Sequence, residues 1–150
     1  MTGLKVPGAI EILMVEDNPG DVRLTREALK GGKVLNRLHV AEDGVAALDF
    51  LYRRPPYQDA PRPDLVLLDL NLPKMDGREV LARIKSDESL RLIPVVVLTT
   101  SKADEDIYKS YDLGVNSYIV KPVTFEALVD ILQTLEKYWF EIVELPPQKD

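Results

Sequence analysis

The sequence predicts an α/β fold: a five-stranded parallel sheet with helices on both faces. Two observations predict it. Three short apolar runs rich in branched residues, together with two weaker strand candidates, alternate with five stretches of helical periodicity. The strongest of these runs are nearly continuous rather than alternating, as in strands buried on both faces. Parallel neighbours need a crossover element that packs back onto the sheet, so regular strand and helix alternation points to a helix-covered layer.

In chain order, the first run is Ile10-Glu11-Ile12-Leu13-Met14-Val15, followed by a helical pattern over 21–30. A weaker strand fits 37–41, and a helix fits 44–52. Leu65-Val66-Leu67-Leu68 is the third strand, with a helix over 77–85. Val95-Val96-Val97-Leu98 is the fourth, with a helix over 104–113. The fifth strand covers 117–120, and a final helix covers 124–138. Between the second helix and the third strand, residues 53–63 hold four prolines and are expected to form a long, stiff surface loop. The domain is placed at 9–138, with an N-terminal tail at 1–8 and a C-terminal extension at 139–150.

With 150 residues the chain suits one compact domain, so output is expected through binding rather than through an appended effector. An apolar fraction of 45% beside 29% charged residues is ordinary for a globular protein. The apolar runs are too short to cross a bilayer, and 1–8 has no signal-peptide pattern, so no membrane association is expected and the cytoplasm is the expected location. Zero cysteines exclude disulfides, thiolate metal sites and thiol catalysis. A net charge of -6, without a dense Lys/Arg cluster, argues against nucleic acid as a partner. No glycine-rich phosphate loop is present. His39 is the only histidine, which leaves it a structural or surface role.

Parallel sheets of this kind carry their sites outside the carboxyl ends of the strands. There the first strand ends in Glu16-Asp17, the third in Asp69, the fourth in Thr99-Thr100 and the fifth in Lys121-Pro122. Singly, each has an ordinary reading. Glu16-Asp17-Asn18-Pro19 could be only a helix start, Thr99 a strand end and Lys121 a surface cation. Jointly they place three carboxylates beside one ammonium, a site of about -2 that a divalent cation would balance. Oxygen donors suit Mg2+, which keeps several waters and takes one or two protein carboxylates. Asp17 and Asp69 are the expected direct ligands, Glu16 acts through a bound water, and the backbone carbonyl of Asn71 is a further candidate. Asp69 could then attack phosphorus as a nucleophile, with Lys121 and Thr99 receiving the phosphoryl oxygens.

These residues resemble the receiver domains of two-component response regulators. The resemblance is carried by Ile12-Leu13-Met14-Val15-Glu16-Asp17-Asn18, by Leu67-Leu68-Asp69-Leu70-Asn71-Leu72-Pro73-Lys74-Met75-Asp76-Gly77, by Pro94-Val95-Val96-Val97-Leu98-Thr99 and by Ser117-Tyr118-Ile119-Val120-Lys121-Pro122. It implies a flavodoxin-like, three-layer fold of strand order 2-1-3-4-5. It also implies Asp69 as phosphoacceptor from a sensor histidine kinase, Glu16, Asp17 and the Asn71 carbonyl around Mg2+, and Thr99 and Lys121 on the phosphoryl group. Thr99 and Tyr118 would be the switch pair, with a Lys121-Pro122 peptide that is often cis in that family. Such a protein catalyses only its own phosphorylation and dephosphorylation. Gly77-Arg78-Glu79-Val80-Leu81, Val97-Leu98-Thr99-Thr100-Ser101 and Tyr138-Trp139-Phe140-Glu141 further resemble the small regulators paired with bacterial phytochrome kinases. Where many receivers carry a small residue, Thr100 is branched, and slower access to the phosphoryl group is expected.

Two further expectations concern output. Movement of Thr99 and Tyr118 would alter the surface of the fourth helix, fifth strand and fifth helix, where an unidentified downstream protein would bind. The last helix carries a broad apolar stripe that runs on into the tail, so Leu135, Tyr138, Trp139, Phe140 and Ile142 are candidate homodimer contacts. Two other readings remain: a receiver-like binding module that works without phosphorylation, and an aspartyl-phosphate hydrolase. The second resembles sequences with an acid two residues after the nucleophile, where this chain has Asn71.

Overall fold

The computed structural model describes residues 9–30, 36–72, 74–109, 114–115, 117–124, 126–128 and 130–131. Nine elements alternate along these residues: β1 (Ile10–Val15), α1 (Pro19–Lys30), β2 (Asn36–Ala41), α2 (Gly44–Leu51), β3 (Leu65–Asp69), α3 (Gly77–Ser86), β4 (Val95–Thr99), α4 (Lys102–Lys109) and β5 (Ser117–Val120). Residues 126–128 and 130–131 are helical as well. The five strands form one parallel sheet of order β2-β1-β3-β4-β5, the expected order.

Helix starts follow local chemistry. Pro19 opens α1, where its missing N–H costs nothing, and Asn18 Oδ1 accepts from Asp21 N at 3.1 Å. Asp43 caps α2 through Ala46 N at 2.8 Å, and Asp76 caps α3 through Arg78 N at 2.8 Å. Ser101 Oγ accepts from Asp104 N at 3.1 Å ahead of α4. The first helix therefore starts two residues before the pattern at 21, because apolar periodicity does not register a proline and glycine in the opening turn.

Every residue of β3 and of β4 is buried. Their alternate side chains feed two cores. Leu13, Val15, Val66, Leu68, Val95 and Val97 face α2 and α3, while Ile12, Met14, Leu65, Leu67, Val96 and Leu98 face the other side with Leu29, Leu128 and Ile131. Burying a Leu, Ile or Val side chain is worth about 1.5–3 kcal/mol, so these two layers hold the strand ends in place.

The proline-rich loop corrects the expectation of a plain surface segment. Ala60 is in the core, and Tyr57 packs on Phe50 with ring centroids 5.6 Å apart. The loop thus closes one end of the α2 layer with apolar side chains that prolines hold in place. His39 has the structural role expected of it: Nε2 lies 2.8 Å from Glu11 Oε1, and Arg37 Nη1 lies 3.3 Å from Glu11 Oε2. Glu11, in the middle of an apolar run, is fully buried and depends on these partners. Residues 1–8 and the dimer candidates Leu135, Tyr138, Trp139, Phe140 and Ile142 lie outside the described residues. So do the ends expected for the fourth and fifth helices, at 113 and 138.

Candidate functional site

Four strands deliver their C-terminal residues to one rim. Parallel pairing sets Asp69 beside Leu98 and Thr99 beside Val120, so the residues following β1, β3, β4 and β5 share one end of the sheet. Glu16 N donates to Ala41 O at 2.9 Å, continuing the β1–β2 ladder into the site. Lys121 N donates to Thr99 O at 2.8 Å and fixes the start of the β5 exit. The Lys121-Pro122 peptide is cis, as the resemblance implied.

At the centre is the Lys121 ammonium. Its Nζ lies 2.6 Å from Glu16 Oε1, 2.8 Å from Asp69 Oδ2 and 3.0 Å from Asp21 Oδ2. The contacts to Asp69 and Asp21 are hydrogen bonds. The approach to Glu16 is close but bent, so Glu16 Oε1 is buried without a hydrogen-bond partner. Asp69 Oδ1 accepts from Asn71 N at 2.8 Å, which turns the chain away from β3 and leaves the carboxylate braced on both oxygens. Burial, reinforced by the Asp69 charge and only partly offset by Lys121, pushes the Glu16 carboxyl up to about 7. Burial works against the charge on Lys121, but the close carboxylates of Asp69, Glu16 and Asp21 outweigh it and raise the Lys121 pKa.

Carboxylate oxygens of Glu16, Asp17 and Asp69 lie within 4.8 Å of one another. Glu16 and Asp69 are buried, whereas Asp17 is exposed at the mouth. A cluster made only of oxygen donors, including one buried oxygen that lacks a hydrogen bond, fits a hard divalent cation. Thr99 is buried, and its hydroxyl donates to Ser101 O at 3.3 Å, a long bond that is easily exchanged. Thr100 is exposed and donates to Asp104 Oδ2 at 2.8 Å. Tyr118 is half-buried against the α2–α3 core, with Lys109 Nζ 5.9 Å from its ring centre.

The loop after β3 is fitted closely to its surroundings. Gly77 N donates to Leu70 O at 3.1 Å, and a Cβ on Gly77 would come within 2.5 Å of Leu70 Cα and press on Asp69 O. Lys74 Nζ lies 3.3 Å from Asp43 Oδ2, linking this loop to the start of α2.

Glu16, Asp17, Asp69, Thr99 and Lys121 thus lie on one rim, and Asn71 is tied to Asp69 two residues along the chain. Asp21 joins them and was missed in the sequence. It brings the carboxylates of the site to four rather than the expected three, and those paired with Lys121 are Glu16, Asp69 and Asp21. The available signal was an acid in the first turn of a helix that starts beside Asp17, but that pattern is more often a response to the helix dipole.

Among the described residues, no helix is long and apolar enough to cross a membrane. The response regulator receiver domain family matches residues 12–133. The chain is 49% identical over 135 residues to the response regulator Rcp1 of Synechocystis sp., covering 90% of this chain and 92% of that protein. The Mn(2+)-bound crystal form of Rcp1 superposes with a TM-score of 0.69 at 48% identity, covering 92% and 99% of the two chains. The bacteriophytochrome response regulator AtBRR superposes at 0.80 with 47% identity, covering 87% and 94%. A phosphorylated cyanobacterial phytochrome response regulator, RcpA, gives 0.71 at 48% identity, covering 93% and 99%. Sheet order, rim geometry and these relatives agree: the chain belongs to the response regulator receiver domain family and is not a conventional enzyme.

Proposed function

We propose that the protein accepts a phosphoryl group on Asp69 from a sensor histidine kinase, in a reaction that needs Mg2+. The observation that carries this reading is the position of Asp69, with one oxygen 2.8 Å from Lys121 Nζ and its carboxylate inside a cluster of three acids. An oxygen of Asp69 attacks phosphorus, the P–N bond to the kinase histidine breaks, and the imidazole leaves with a proton. Lys121 neutralises a non-bridging oxygen, and the Thr99 hydroxyl exchanges its long bond to Ser101 O for a phosphoryl oxygen. Asp17, Asp69 and the Asn71 carbonyl would hold Mg2+, with Glu16 reaching it through water. Bound there, the ion supplies charge to offset the carboxylates and the transferring group.

The phosphorylated RcpA and Mn(2+)-bound Rcp1 structures among the relatives support this chemistry. The phytochrome regulators among them support a phytochrome-type kinase as the partner. In this reading the receiver spans 9–138 and acts in the cytoplasm. Thr99 and Tyr118 carry the change to the surface formed by α4, β5 and the helix after it. A second copy of the chain is met through the segment containing Leu135, Tyr138, Trp139, Phe140 and Ile142.

Labelling by acetyl phosphate with and without Mg2+, beside Asp69→Ala, tests the assignment. Label that requires the ion and Asp69 supports it. Equal labelling of Asp69→Ala, or a wild type inert to acetyl phosphate and to every candidate kinase, refutes it. The second result would favour a binding module that works without phosphorylation.

A further inference from the structure

We propose that Asp21 is a positioning residue that competes with the phosphoryl group for the Lys121 ammonium and so weakens the phosphorylated state. The inference rests on Asp69 as the phosphoacceptor. An ammonium has three N–H donors, and here three carboxylates stand at 2.6, 2.8 and 3.0 Å from Nζ. The Lys121 side chain is 12% exposed, so few waters stand in reserve. Asp69 and Asp21 accept hydrogen bonds from the ammonium and Glu16 pairs with its charge, so a phosphoryl oxygen must compete with these carboxylates for it.

The three differ in what displacement costs. The Glu16 side chain is fully buried, so it cannot turn out to bulk solvent when the ammonium moves. Asp69 carries the incoming group. The Asp21 side chain is 26% exposed in the first turn of α1, where water and the helix N-terminus can receive its charge. Its backbone N–H is already capped by Asn18, so α1 does not depend on the Asp21 carboxylate. Asp21 is therefore the partner released, and its negative charge opposes the transfer of Lys121 to the phosphoryl group.

Asp21→Asn keeps the shape and removes the charge. Calorimetric titration with Mg2+ alone, and then with beryllium fluoride as a phosphoryl mimic at saturating Mg2+, tests the idea. Beryllium fluoride should bind about three- to fivefold tighter than to wild type, the range of one weak ion pair. Mg2+ alone should bind no tighter, because a nearby negative charge has gone. Asp21→Glu should stay at the wild-type value, and Asp21→Ser should move with Asp21→Asn. A purely structural role would instead weaken both ligands together. Unchanged or weaker beryllium fluoride binding by Asp21→Asn and Asp21→Ser overturns the proposal and leaves the phosphoacceptor reading standing. A wild type that binds none overturns both.

Discussion

Replacing Gly77 with Ala tests how closely the β3–α3 loop is fitted under the site. A Cβ there would come within 2.5 Å of Leu70 Cα and press on the carbonyl oxygen of Asp69. Both neighbours are backbone atoms, so neither can turn away as a flexible side chain would. Overpacking of this kind costs about 1–3 kcal/mol. Ala is a better helix former than Gly by at most about 1 kcal/mol, and less in a first turn, where few backbone bonds are at stake. The expected net loss is about 1–2 kcal/mol, or a fall in melting temperature of about 3–8 °C for a domain of this size. Gly20→Ala is the control, since its Cβ would meet only Asn18 Oδ1 at 3.1 Å, a side-chain atom that can give. Urea and thermal melts of the two variants should separate them. Acetyl phosphate labelling of Gly77→Ala at a temperature where it is folded should also fall, because the displaced backbone carries Asp69. A Gly77→Ala protein as stable and as readily labelled as Gly20→Ala would refute the argument that this contact holds the site.

The bond from Ala46 N and the Lys74 ammonium hold the Asp43 carboxyl below its ordinary range. A depressed pKa contributes stability above the unfolded value that is lost as pH falls through the folded one. Asp43→Ala should therefore cost about 1 kcal/mol at neutral pH and progressively less in acid, as read by urea melts at a series of pH values. Removing the His39 side chain leaves buried Glu11 short of one partner, so His39→Ala should lower stability by about 1–3 kcal/mol. A loss below about 0.5 kcal/mol, within the range of ordinary surface changes, would mean Glu11 does not rely on it. Glu16→Gln should weaken Mg2+ binding by about 10- to 100-fold in calorimetry if Glu16 orients a bound water, and unaltered affinity would remove it from the site. Thr100→Ala should quicken labelling by acetyl phosphate and loss of the label, and unchanged rates would show that Thr100 does not restrict access.

The fold was legible because periodicity is a local property. Val95-Val96-Val97-Leu98 reads as a strand buried on both faces, and the helix patterns between such runs demand parallel crossovers. From that follows the rim at which Glu16, Asp17, Asp69, Thr99 and Lys121 meet. What no window of sequence contains is the approach of groups far apart in the chain. Asp21 and Lys121 are 100 positions apart, and their bond exists only once the chain has folded. Glu11 looks like an interruption in an apolar run until pairing with β2 sets it beside Arg37 and His39. Tyr57 and Ala60 look like loop residues until the core around Phe50 presents a place for them. Residue types and their order along the chain thus determined the sheet and its set of acids. The folded structure alone decided which carboxylates share Lys121, because electrostatic partners are chosen by distance in space.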